Sequence, residues 1–183
     1  MNQRTLTVST LKMQLLATLL AVVASVALPQ VFHFIGAVSG SGTVPGVVFL
    51  PMHLPVILVG LFAGTLAGGL TGLLAPIVSF LLTGMPGPVM MVLMSAELAG
   101  YGIFAGLLSS VKMPVFVKVV ITQIAGRLVY AVAILIASYG FGQTQFTVGS
   151  IIPALAQGLP GLMLQWVFIP LIVFRITESK KNK

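Results

Sequence analysis

The sequence predicts an all-α membrane protein, a bundle of six transmembrane helices in one domain. Three observations predict it. Of 183 residues, 58% are hydrophobic and only 6% are charged, against roughly 25% charged in soluble domains. Apolar runs of spanning length recur along the whole chain, parted by short stretches rich in Gly, Pro and Ser. The charges cluster at the ends of those runs, where a bilayer leaves them in water. The net charge of +7 comes without an aromatic-interleaved basic patch. It therefore reads as topology signal and contact with anionic lipid head groups of the bilayer, and no nucleic-acid partner is expected. Cysteine is absent, which excludes disulfides and thiolate metal sites.

Each span follows from length and punctuation. The first is residues 11–34, read as a retained helix because no small-residue cleavage site follows a short core. Residues 36–51, with SGSGTVPG, read as an external loop. The apolar stretch 53–84 would make one helix of about 45 Å at 1.5 Å per residue, well beyond a hydrocarbon core of about 30 Å. It is therefore split near Gly64–Gly69 into spans 53–65 and 68–83. MPGP at 85–88 breaks the chain again. Span four is 89–109 and span five 114–139. The turn-rich GFGQTQ at 140–145 precedes span six, 151–176, which Pro153, Pro160 and Pro170 are expected to bend.

Charge tests the count. Arg4 and Lys12 precede or open span one, Lys112 and Lys118 flank the junction between spans four and five, and Arg175, Glu178, Lys180, Lys181 and Lys183 form the tail. Six spans with both termini cytoplasmic put all this exposed positive charge inside, and the outer loops carry none. Five spans would place the central lysines opposite the N-terminus. A multi-pass protein of the cell membrane is expected.

Small residues form ladders. Ala17 and Ala21 lie one turn apart, and Gly60, Gly64, Gly68 and Gly72 recur every fourth residue. Such spacing lets helix backbones approach closely in lipid, either within the bundle or against a partner membrane protein.

Two charges, Glu97 and Arg127, are embedded in long apolar segments. An ionisable residue at bilayer depth is costly unless paired, hydrated or used, which makes it a candidate functional site. By helical rise the two sit at matching depth on consecutive antiparallel spans. They form either a register-fixing ion pair or the polar floor of an outer ligand cavity, and the two roles are compatible. In the second, Arg127 receives an anionic group through its planar fork. Tyr101 is one turn from Glu97; Gln123, Arg127 and Tyr130 share one face, as do Gln157, Gly161 and Gln165. Several polar side chains at one level favour a small-molecule site, although each glutamine alone also fits as helix-bonded filler. His53 opens span two, either capping a helix start or donating to a ligand beneath the preceding loop. Ser79 and Thr83 face the cavity mouth or bond their own backbone, and Trp166 reads as packing. His33, His53 and one glutamate are too few for a metal site. No GxxxxGK[ST] motif and no aspartate occur, so an ATP site and a Ser/His/Asp triad are excluded. The chain is not expected to be an enzyme. Active transport would need energy from a partner or an ion gradient, and a proton-coupled small-molecule carrier using Glu97 is the rival reading.

Ala17-xxx-Ala21, the block PMHLPVILVGLFAG (51–64), GLTGLLAPIVSFLLTGMP (69–86) and ELAGYG (97–102) carry a resemblance across nearly the whole chain. The chain resembles the substrate-binding S components of energy-coupling factor (ECF) vitamin transporters. The resemblance implies a vitamin ligand, a transmembrane coupling subunit, and two cytoplasmic ATPase subunits that hydrolyse ATP, with no cofactor in this chain. It implies that Ala17 and Ala21 dock on the coupling subunit, that the segment 36–51 covers the bound vitamin, and that transport involves toppling in the membrane. Nickel and cobalt members carry Met-His at the extreme N-terminus; here Met1 precedes Asn2, which argues against the metal branch. The pantothenate-type subgroup is nearest, with pyridoxine, hydroxymethylpyrimidine and cobalamin types as competitors.

Overall fold

A computed structural model describes residues 10–181, with side chains through Ser179. Met1, Asn2, Arg4 and Lys183 lie outside the described residues, as do the side chains of Lys180 and Lys181. The elements are α1 (Leu11–Val38), α2 (Val44–Phe49), α3 (His53–Ala63), α4 (Thr65–Thr83), α5 (Pro88–Ser109), α6 (Val115–Leu135) and α7 (Ile151–Lys181). No strand occurs among the described residues. Six segments are long and apolar enough to cross a membrane, with α2 and α3 together supplying the second. The outward faces are apolar: Leu81, Leu128 and Val167 are 74%, 63% and 65% exposed. Apolar surface of this extent on six helices of spanning length describes a multi-pass membrane protein.

α5 is the hub, packed by α3, α4 and α6. Its seam with α4 is built from glycines. A Cβ at Gly68 would run into the carbonyl of Gly102, one at Gly102 into that of Gly68, and one at Gly72 into the backbone of Leu98. The glycine ladder is thus used within the bundle, where close backbone approach replaces the hydrophobic drive that lipid removes.

Several boundaries differ from the sequence expectation, for local reasons. The segment 36–51 is not one loop: α1 continues to Val38, and Pro45 in the first turn of α2 starts a new helix there. The break between α3 and α4 is a single residue, Gly64, at φ 91° and ψ −175°, a conformation that L side chains avoid. α5 lies directly against it, since a Cβ on Gly106 would meet Thr65. α7 runs unbroken through Pro160 and Pro170.

Lys118 is a correction to the charge map. It was expected in the exposed junction, yet it is 5% exposed, and its Nζ donates to the Ser109 carbonyl at 2.8 Å. Helix C-termini leave carbonyls without partners and attract cations, so this lysine folds back from the first turn of α6 to close the end of α5. Lys118→Met, which keeps the stem and removes the ammonium, is expected to lower stability by about 1–3 kcal/mol, read as an earlier loss of monodisperse protein on heating in detergent.

The small pair on α1 makes contacts within the bundle. Ala21 is 9% exposed, and with Ala17 it packs on Val59, Ala63 and Ala67 of α3 and α4. The face read as a docking surface is taken up inside the bundle, because a narrow small-residue strip suits whichever helix is nearest.

Candidate ligand-binding site

Antiparallel alternation brings the connections 39–52, 84–87 and 141–147 to one end of the bundle. None carries a charge, whereas Lys112 lies at the opposite end with the turn that Lys118 closes. A cavity of about 530 Å³ occupies the uncharged end, within the size range of small-molecule sites. Thr43, Met85 and Phe146 bring all three connections into its wall.

One face of α5 supplies the floor. Met90, Met94 and Glu97 recur at helical spacing and line the cavity. Glu97 is 3% exposed. Arg127 on α6 brings Nη1 to 2.9 Å from Glu97 Oε1. The contact is ionic and not aligned as a hydrogen bond, for Glu97 Oε1 has no hydrogen-bond partner. Burial makes the pairing necessary, since an isolated charge here would carry its full desolvation penalty. Gly158 makes room for the guanidinium: a Cβ there would sit 2.6 Å from Arg127 Nη2 and 3.0 Å from Leu50 Cδ1. Leu50 itself, at φ 48°, turns the chain from α2 into α3 over this point.

His53 completes the floor. It is 2% exposed, and its Nε2 lies 3.8 Å from Glu97 Oε1. Neither ring nitrogen has a hydrogen-bond partner, nor do Arg127 Nε and Nη2. Buried polar atoms without partners are uncommon and call for an explanation.

Five of the eight expected ligand residues reach the cavity: His53, Glu97, Arg127, Tyr130 and Gln157. Three are set back from it. Tyr101 is buried beneath His53, ring to ring at 5.0 Å and 73°, in space that Gly126 leaves open on α6. Gln123 and Gln165 turn toward each other, with Gln123 Nε2 donating to Gln165 Oε1 at 3.1 Å. Gln165 Nε2 donates to the Leu50 carbonyl at 3.3 Å, and Trp166 Nε1 donates to Gln123 Oε1. This chain anchors the α2–α3 corner to α6 and α7, behind the wall. Trp166 also packs edge-on against Phe116. Ser79 lines the cavity and donates to the Met85 carbonyl, while Thr83 bonds back to Ser79.

Comparison with known protein families, curated proteins and solved structures gives no match to this chain.

Sequence reasoning did not single out the apolar wall of Met52, Met85, Met90 and Met94, or His33 as a lining residue. The spacing Met90, Met94, Glu97 carried a signal for part of it, because residues at i, i+4 and i+7 share a face with the embedded glutamate. The contributions of Met52 and Met85 depend on loop paths that helical periodicity does not encode. Among the described residues, no group of three or more His, Cys, Asp or Glu side chains is placed to hold a metal ion.

Proposed function

We propose that this protein is the substrate-binding membrane subunit of an ATP-driven, ECF-type vitamin importer, with pantothenate as its ligand and the cavity facing outward. One observation supports this above the others: a small-molecule cavity at the uncharged end of the bundle ends on a buried carboxylate–guanidinium pair with unused hydrogen-bonding atoms. Its volume suits a vitamin of pantothenate or pyridoxine size better than a corrinoid. The apolar wall with few convergent polar groups has the composition of a binding site for a small organic molecule. The uncharged end faces out by the positive-inside rule, and vitamin would enter beneath α2. In this reading the coupling subunit and the two ATPases supply the energy. Because Ala17 and Ala21 are occupied internally, the coupling subunit would meet other residues of the exposed apolar helix faces.

The closeness of His53 to Glu97 favours one second reading, a proton-coupled carrier in which this pair holds the proton. Uptake of labelled pantothenate into vesicles carrying this chain with coupling and ATPase subunits separates the two. ATP-dependent accumulation that persists with a protonophore, at constant ATP, is the expected result. Abolition by the protonophore would favour the carrier.

A further inference from the structure

We infer that the Glu97–Arg127 floor receives a neutral hydrogen-bonding end of the ligand, such as an amide, a lactam or a hydroxylated edge, and leaves a free carboxylate at the mouth. The inference rests on the reading that the cavity holds a small vitamin, and it fixes which end points inward.

Charge balance is the first argument. The titratable groups at the floor are His53 from α3, Glu97 from α5, and Arg127 and Tyr130 from α6, with Tyr101 of α5 beneath His53. His33 joins the wall from α1, the polar lining from α4 and α7 is the uncharged Ser79 and Gln157, and the uncharged Thr43 and Ser150 also line the cavity. With histidine counted as neutral, the formal charges cancel. Among the lining residues Arg127 is the one lysine or arginine, and its charge is already opposed by Glu97 at 2.9 Å. A ligand carboxylate placed there would be attracted by the guanidinium and repelled by Glu97 at similar range. Little Coulomb energy would remain to offset its desolvation.

Unused bonding capacity is the second argument. Arg127 Nε and Nη2 are donors without acceptors, Glu97 Oε1 has the Arg127 Nη1 ion pair at 2.9 Å but no aligned hydrogen bond, and both nitrogens of His53 and the Tyr101 hydroxyl are unpartnered. A site that leaves donors and acceptors side by side matches a group that offers both. A carboxylate is acceptor-only when ionised and would leave Glu97 unsatisfied. The methionines of the wall add no polar partner, and the polar lining away from the floor (His33, Thr43, Ser79, Ser150 and Gln157) includes no lysine, arginine or carboxylate, so the charged pair lies at the floor. Pantothenate would then lie with its amide and hydroxyls inward.

Calorimetry on the purified full chain in detergent at about pH 8 tests this with three matched pairs. These are pantothenate and pantothenol, nicotinate and nicotinamide, and 4-pyridoxate and pyridoxine. The neutral member is expected to bind at least as tightly as the acid in every pair that binds. An acid favoured by about tenfold or more overturns the inference. Silence of the pantothenate pair, with a neutral preference in another pair, removes pantothenate from the proposed function and supports this inference. Silence of all three pairs overturns both. Glu97→Gln removes the opposing charge and is expected to swing the preference toward the acid by about tenfold or more. An unchanged preference in the folded variant overturns the inference, and if that variant does not fold, the wild-type pairs decide the matter alone.

Discussion

Arg127→Ala is expected to abolish ligand binding and to destabilise the bundle at the same time. Among the described lining residues Arg127 is the one lysine or arginine, and it opposes Glu97, which is 3% exposed. Removing it leaves a buried carboxylate without a counter-charge, which costs about 3–5 kcal/mol. The two losses have different causes and can be separated. Glu97→Gln combined with Arg127→Ala removes both charges, so much of the stability should return. Binding should not, because the donors of Arg127 are still missing. Thermal unfolding in detergent reads the first effect, and calorimetry with pantothenate and pantothenol reads the second. Recovery of binding in the double variant would reduce Arg127 to a purely structural residue. Wild-type stability in the single variant would mean that the pair is hydrated and not buried.

Gly68→Val is expected to prevent assembly of the bundle. A Cβ at this position meets the carbonyl of Gly102 and lies 2.8 Å from Gly60 Cα. These obstacles are backbone and cannot rotate away, so α4 and α5 must separate along the seam that holds the hub helix. Overpacking in a well-packed core costs about 1–3 kcal/mol and occasionally more; displacement of a whole helix pair belongs above that range. Gly87→Ala is the matched control, because a Cβ there has no neighbour within 4 Å and φ is −58°. The control should run as a monodisperse species on size exclusion, and Gly68→Val should aggregate. Normal behaviour of Gly68→Val would mean that the helices are not in backbone contact at this point.

The same glycines show what was legible in advance. Their spacing announced a close helix contact, but it was equally compatible with a partner protein. The choice of α5 depended on Gly102 and Gly106 presenting matching gaps, a property of two helices and not of one. Arg127 and Gln123 make the same point within one helix. They share a face of α6, yet one reaches the cavity and the other turns to Gln165. A rotation about the helix axis that periodicity leaves free is set by Gly126, which admits the Tyr101 ring, and Gly158, which admits the guanidinium. Lys118 was misplaced because sequence gives its distance from an apolar run but not the nearby helix end that accepts its ammonium.

The sequence alone determined the class, the number of crossings and the two charges that had to meet. Apolar length, glycine punctuation and the cost of charge in hydrocarbon act locally along the chain, and each leaves a readable mark. Only the tertiary structure decided that α2 and Leu50 turn back over the floor, that His53 and the methionines join its wall, and that Ala17 and Ala21 face inward. Those outcomes depend on which helix lies beside which and how each is rotated, and that is settled by packing between segments far apart in sequence.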